Sequence, residues 1–206
     1  MPVPVAASNT APRRRTVVFD FDATLAAIDV TVYGPQGVAA MGGRERVAAL
    51  DAFLARVSAS GCEMGIVSFN NRGMVVRTLD SARLLRHFPA HAIFGYEQVL
   101  EVGGSLAKSP LIHKRFLAPR KSPTSDLFFV DDNSENIRDL ASSSRTAGCG
   151  LLHVRGGQGM VAADFAAVLE WCEGGGSAKA KRRTVKRDDG APAPWRAPPE
   201  VCDAGP

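Results

Sequence analysis

Val17-Val18-Phe19-Asp20-Phe21-Asp22-Ala23-Thr24-Leu25 runs from a short apolar segment straight into two acids one residue apart, and then into a threonine. A short continuous apolar run fits a strand buried on both faces of a parallel sheet. Ligands in open α/β sheets bind beyond the carboxyl ends of the strands, where Asp20 and Asp22 would stand. Carboxylates beside so apolar a run are costly unless something pairs with them, and a divalent cation would. On these nine residues alone, a strand leading into a merely acidic turn is the alternative.

Outward from this stretch, strand and helix patterns alternate. Residues 26–43 show no period and are punctuated by Gly34-Pro35, Gly37 and Gly42-Gly43, which predicts a loop with a small hairpin around Asp29–Tyr33. Val47, Leu50, Leu54 and Val57 predict a helix from Arg44 to Ser60, stopped by Gly61. Met64–Val67 predicts a second strand, ending in Ser68-Phe69-Asn70-Asn71. Val75, Leu79, Ala82 and Leu85 predict a helix running to about Phe88, with a weak strand at Ala92-Ile93-Phe94. Residues 96–107 are mixed, with a loop at Gly103-Gly104. Ser109 to Leu117 predicts a short helix with Pro110 in its first turn. Leu127-Phe128-Phe129-Val130 is a clear strand running into Asp131-Asp132. A helix over Ser134–Ala141, a strand over Gly150–Val154 and a helix over Met160–Trp171 complete the series. Strands alternating with helices mean an α/β, doubly wound, three-layer parallel sheet.

The chain has 206 residues, room for one domain with a sizeable core and two tails: an arm over 1–15, a domain over 16–173 and a tail over 174–206. The net charge of +4 divides unevenly: +3 in residues 1–15, +3 in 174–206 and −2 between them. The basic character belongs to the tails, so nucleic acid is a partner only through them. Lys179, Lys181, Arg182, Arg183, Lys186 and Arg187 fit a solvated tail, with a nuclear-localisation or anion-binding patch as the alternative. No apolar run approaches the ~20 residues of a membrane span. The Pro-containing start lacks a secretory apolar segment, and an organellar transit role stays open. A cytoplasmic or nuclear compartment is expected. Cys62, Cys149, Cys172 and Cys202 have no metal-ligand spacing and fit thiols in a reducing compartment, with Cys62 and Cys149 buried beside strands.

Polar groups follow the strands: Asp20 and Asp22, then Ser68 and Asn70, then Asp131 and Asp132, with Lys108 before the fourth. In a parallel sheet these strand ends share one edge, so distant residues can meet in one cleft. The inventory suits phosphoryl transfer. Clustered carboxylates bind a hard cation such as Mg²⁺, which lets an anionic phosphate approach. Ser68, Phe69 and the amides near Asn70 can hold the phosphate, and Lys108 adds positive charge. One carboxylate can attack phosphorus while a second protonates the leaving oxygen.

The four parts, in order, resemble the haloacid dehalogenase (HAD) superfamily of aspartate-nucleophile phosphatases. Asp20-Phe21-Asp22-Ala23-Thr24 matches its DxDx(T/V) motif, Ser68 its second, Lys108 its third and Asp131-Asp132 its fourth. Phe128 to Ile137, then Leu151–Val154 and Gly159-Met160, are similar to the magnesium-dependent phosphatase group. The chain departs from that group by Val130, by Ala23 where an aromatic is common, and by Ser68-Phe69-Asn70. The resemblance implies Asp20 as nucleophile and Asp22 as general acid and base. It implies Mg²⁺ on the Asp20 carboxylate, the Asp22 carbonyl and Asp131, with Asp132 in support. It implies an aspartyl-phosphate intermediate.

Lys108 is preferred to Lys114 for the third role because Lys-Ser-Pro opening a helix is nearer the family pattern. His153 is expected as a packed residue and His113 as a surface one. Asn136 either orients Asp132 or supports its own helix. Neither insertion point has room for a folded cap, so the cleft is expected open under the 26–43 loop. A phosphorylated small molecule or a phosphoprotein is the expected substrate. A phosphate-binding domain without turnover and a tail-tethered nucleic-acid end-processing phosphatase are the alternatives.

Overall fold

The computed structural model describes residues 14–30, 37–103 and 106–174. The hairpin expected around Asp29–Tyr33 lies largely outside them, as do both tails. Five strands form one wholly parallel sheet: β1 (Thr16–Phe19), β2 (Glu63–Val67), β3 (Ile93–Phe94), β4 (Leu127–Asp131) and β5 (Gly150–His153). Their order is β3-β2-β1-β4-β5. The chain therefore winds outward to β3, crosses back, and winds outward again from β4. The direction reverses between β1 and β4, a position that opens a crevice at the carboxyl ends. Register puts Phe19 beside both Ile66 and Val130, so residues 20 and 131 leave the sheet as neighbours.

The helices are α1 (Arg44–Ala59), α2 (Arg72–Ser81), α3 (Tyr96–Gly103), α4 (Ser109–Ile112, running on as a wider turn to Leu117), α5 (Ser134–Ser142) and α6 (Ala162–Cys172). Strand alternation sorts them into layers. Val17 and Phe19 pack with Leu50, Phe53 and Leu54 of α1, Val75 and Leu79 of α2, and Val168 and Leu169 of α6. Val18 faces the other way, onto Val99, Leu111, Ile112 and Leu140 of α3, α4 and α5. Phe19 meets Phe53 edge to face at 6.1 Å, and Phe53 stacks on Phe165 at 4.5 Å, so α1 and α6 close over β1. Fully burying one such side chain contributes about 1.5–3 kcal/mol.

Two expectations from the sequence are corrected. The second helix stops at Ser81 rather than near Phe88. Arg83 takes a left-handed φ of 59°, the Leu84 amide reaches back to the Leu79 carbonyl, and Leu84 is buried. That is a Schellman-type ending without glycine. The mixed stretch after Gly95 contains α3, whose start is closed by the Gly95 amide donating to the Gln98 side chain at 2.8 Å.

Neither the segment before α1 nor that between β2 and Lys108 forms a separate folded unit among the described residues. No helix among them is long and apolar enough to cross a membrane.

Candidate active site

The first strand delivers Asp20 at its end, and the backbone then turns sharply. Asp20 and Asp22 stay extended, while Ala23 takes a left-handed φ of 49°. That conformation is uncommon without glycine and tends to be held at functional turns. Several contacts hold it. The buried Thr24 hydroxyl accepts from the Asp132 amide at 3.1 Å, which ties the turn to the end of β4. The Thr24 carbonyl accepts from the Met160 amide at 2.8 Å. Gly159 has a φ of +73°, and a Cβ there would meet the Thr24 and Ala26 carbonyls at 2.9 and 2.7 Å. Only glycine lets the loop after β5 approach so closely.

Lys108 comes from the loop before α4 and has no exposed surface. Its Nζ donates to Asp20 Oδ1 at 2.5 Å and to Asp131 Oδ2 at 2.7 Å. The ring of Phe69 lies 5.0 Å from Nζ, and that of Phe129 5.8 Å. Burial favours neutral Lys108, but Asp20 and Asp131 together outweigh it and hold the ammonium charged. Burial dominates at Asp20, whose carboxyl is pushed up to about 7 against the pull of Lys108 and with the help of Asp131. Lys114 is exposed on the same segment and takes no part.

Asp131 receives more than Lys108. The Asn133 amide reaches Oδ1 at 2.8 Å, and Asn136 Nδ2 lies 3.1 and 3.0 Å from its two oxygens. Asn136 thus orients Asp131, rather than Asp132 as one reading of the sequence had it. Asp132 is half-buried, and burial with the nearby Asp131 charge raises its carboxyl. Carboxylate oxygens of Asp20, Asp131 and Asp132 lie within 4.8 Å of one another. Three such oxygens suit a hard divalent cation, so the donor set fits Mg²⁺.

Asp22 points elsewhere. Its Oδ1 accepts from the Val30 amide at 2.8 Å, and Asn70 Nδ2 bridges both oxygens at 3.1 Å. The Ser68 hydroxyl stands 3.4 Å from Asp22 Oδ2 and accepts from the Asn70 amide at 2.9 Å. Burial raises the Asp22 carboxyl despite these donors. The Asn70 side chain is therefore committed to Asp22. Gly95 lets the backbone pass close to Asn70, since a Cβ on it would lie 2.8 Å from the Asn70 backbone carbonyl. Asp20, Asp22, Ser68, Phe69, Asn70, Lys108, Asp131 and Asp132 all gather at the carboxyl edge of β1, β2 and β4.

No protein-family model matches the sequence, and no curated protein does. Among solved structures, the chain is similar to the N-terminal part of protein BF1531 from Bacteroides fragilis, containing a phosphatase domain complexed with Mg. That match has 14% identity over 77% of this chain and 40% of that one, with a TM-score of 0.56. The chain has a haloacid-dehalogenase-like fold. DsGPDH of Dunaliella salina aligns at 18% identity over 73% of this chain and 26% of that one, with a TM-score of 0.49. The HAD domain of the effector Lem4 from Legionella pneumophila aligns at 12% identity over 78% and 96%, with a TM-score of 0.48. The chain spans less than half the length of the first two. At such identities the likeness is one of fold.

Three supports within this HAD-like domain carry no sequence signature. Asp139 of α5 accepts from the Ser109 amide and hydroxyl at 2.9 and 2.8 Å, anchoring the residue next to Lys108. The Arg46 guanidinium donates to the carbonyls of Leu25 and Met41 at 2.7 Å, and to those of Thr24 and Met160 at 3.2 and 3.3 Å. His153, half-buried rather than packed away, bonds the Asp132 carbonyl at 2.8 Å. His113 is half-buried, without a place in the cluster.

Proposed function

We propose that this chain is a phosphomonoester hydrolase that works through an aspartyl-phosphate on Asp20 and requires Mg²⁺. One observation carries the reading: an ammonium held between Asp20 and Asp131 with Asp132 alongside. That set matches an anionic substrate that must be neutralised next to a carboxylate nucleophile.

Asp20, Asp131 and Asp132 would hold the cation, with the Asp22 carbonyl as a further oxygen. When bound, the cation supplies charge neutralisation to the phosphate oxygens. Lys108 fixes the Asp20 carboxylate by a short charge-assisted bond and offers its charge to the phosphoryl group. Asp20 attacks phosphorus, and the ester oxygen leaves with the proton of Asp22. Asp22, held by Asn70 and the Val30 amide, then takes a proton from water. That water attacks the phosphorus of the acyl phosphate, releasing inorganic phosphate and restoring Asp20. The Ser68 hydroxyl and the ring of Phe69 border the position where the phosphoryl group would sit. Phosphorylated small molecules and phosphopeptides are the substrate classes an uncapped cleft would admit.

Turnover of an aryl phosphate by the full chain tests the reading. Activity should require Mg²⁺, vanish in chelator and vanish in Asp20→Asn. Activity retained in either condition rejects it. Tight phosphate-ester binding without turnover in the Mg²⁺-loaded wild type would identify a binding domain instead.

A further inference from the structure

Cys62 immediately precedes β2, and Cys172 is the last residue of α6. They sit at the amino-terminal edge of the sheet, opposite Asp20. Both belong to the core cluster that joins α1 and α6 to β1, at 7% and 6% exposure, and the Arg15 carbonyl accepts from the Glu63 amide next to Cys62 at 2.9 Å. Both line one surface cavity of about 320 Å³, with Arg15, Ser60 and Asp126 on its wall. Arg15 lies over the Trp171 ring at 5.3 Å and donates to the Cys172 carbonyl at 3.4 Å, which keeps a cation at the pair. The proposed chemistry at Asp20 uses neither sulfur.

We propose that Cys62 and Cys172 form a redox-sensitive thiol pair, which a peroxide-class two-electron oxidant converts to a disulfide that staples the end of α6 to the start of β2.

The roles of the two sulfurs differ. The neighbouring Cys172 thiol outweighs burial and, with Ser60 and Arg15, pulls the Cys62 thiol down to about 6. Cys62 in turn, with burial, pushes Cys172 up. One sulfur attacks as the thiolate and the other resolves, here with Cys62 attacking. The Cys62 sulfur attacks one peroxide oxygen, the O–O bond breaks, and hydroxide leaves to become water with the proton Cys62 gave up. The Cys172 sulfur then attacks the Cys62 sulfenic acid. The S–O bond breaks, and a second water leaves with the Cys172 proton. The two sulfurs together lose two electrons, and the peroxide gains them.

The bridge would close a loop that includes most of the domain, and long loops gain most from closure. It would act on stability, because it lies at the far edge from the carboxylate cluster. Cys149 is a built-in contrast. It lies in the other core cluster, and burial pushes its thiol up to about 11.

The test uses the reduced full chain treated with equimolar hydrogen peroxide and mapped by peptide mass spectrometry. The expected product is an intramolecular Cys62–Cys172 link with a loss of about 2 Da. It should raise Tm by about 5 °C or more, reversibly with dithiothreitol. Cys62→Ser and Cys172→Ser should each abolish the link. A link to Cys149 or Cys202, a linkage between two chains, or no linkage at all overturns the proposal. A Cys62–Cys172 link that leaves Tm unmoved overturns the stapling.

Discussion

Lys108 Nζ sits 2.5 Å from Asp20 Oδ1, although the two residues arrive from segments 88 positions apart, and the lysine has no exposed surface. A buried ammonium is tolerated only when paired, and Asp131 supplies the second partner. The ion pair is a structural commitment as well as the centre of the proposed chemistry.

Lys108→Met should therefore cost folding as well as activity. It leaves Asp20 and Asp131 buried with no cation between them, a loss of about 3–5 kcal/mol when one member of a buried pair is removed. Denaturant unfolding in chelator measures it. Mg²⁺ should restore more of the loss in the variant than it adds to wild type, because the metal returns the missing charge. A variant that unfolds at the wild-type midpoint in chelator shows the pair to be dispensable for stability.

Asp20→Asn should do the opposite to stability while removing activity. The Asp20 carboxyl is raised from 3.8 to about 7, so the folded state holds its proton more tightly than the unfolded chain does. Below about pH 4 the group is protonated in both states and costs nothing, and as pH rises toward 7 the unfolded chain gives up a proton that the fold retains, so stability is lost. Asparagine keeps an acceptor for Lys108 and removes that cost. In chelator at pH 8 the variant should melt above wild type, with the gap closing toward pH 4. A wild-type Tm at or above the variant's at pH 8 contradicts this.

The strands and the cluster were legible because each left a local mark. Leu127–Val130 is buried on both faces, so its apolar run is unbroken, and the acids that follow stand out against it. Lys108 was preferred to Lys114 only through the likeness of its Ser-Pro context to the family pattern, and the structure separates the two by burial. The missed features leave no such mark. Arg83 ends α2 in a left-handed conformation without a glycine to announce it, and the start of α3 rests on Gln98 reaching back to Gly95. Asn136 had two acids within reach, and only packing selects Asp131. Arg46 gathers carbonyls from Thr24 to Met160, contacts no periodicity encodes. Phe69 and Asn70, expected at the substrate, stand at the same strand edge, with contacts that the sequence does not announce. In the fold one lies over the Lys108 ammonium and the other is spent on Asp22.

Asn136→Ala should weaken metal use more than catalysis. Asp131 keeps Lys108 and the Asn133 amide but loses the side chain that fixes both of its oxygens. Loss of a group that orients a metal ligand costs about 10–100-fold in metal affinity. The Mg²⁺ concentration for half-maximal turnover should rise by that factor, with the rate at saturating Mg²⁺ much less affected. An unchanged Mg²⁺ requirement means that Asn136 only supports α5.

Thr24→Val tests the tie between the two acidic motifs. Valine keeps the volume of the fully buried side chain but deletes the acceptor for the Asp132 amide. A buried amide left without a partner costs about 1–3 kcal/mol. Tm should fall accordingly, and turnover should fall with it because Asp132 is then free to leave the cluster. Loss of stability with full turnover would confine Thr24 to holding the fold.

Arg46→Met probes a cation with no catalytic part. Burial pulls the guanidinium down only to about 10, so it stays charged and spends its donors on four carbonyls. Removing it leaves the carbonyls of Leu25 and Met41 without that donor, while the Met160 amide on the Thr24 carbonyl still ties the loop after β5 to the turn that presents Asp22. The loss should be about 3 kcal/mol or more, since hydrogen bonds to a charged group exceed neutral ones. Arg46→Lys should recover only part of it, because an ammonium is a point charge and cannot fork across carbonyls from three loops. Turnover at low temperature, where the variant is still folded, should survive, which separates Arg46 from Lys108. If Arg46→Lys instead abolishes turnover without lowering Tm, the guanidinium acts on the substrate and not on the turn.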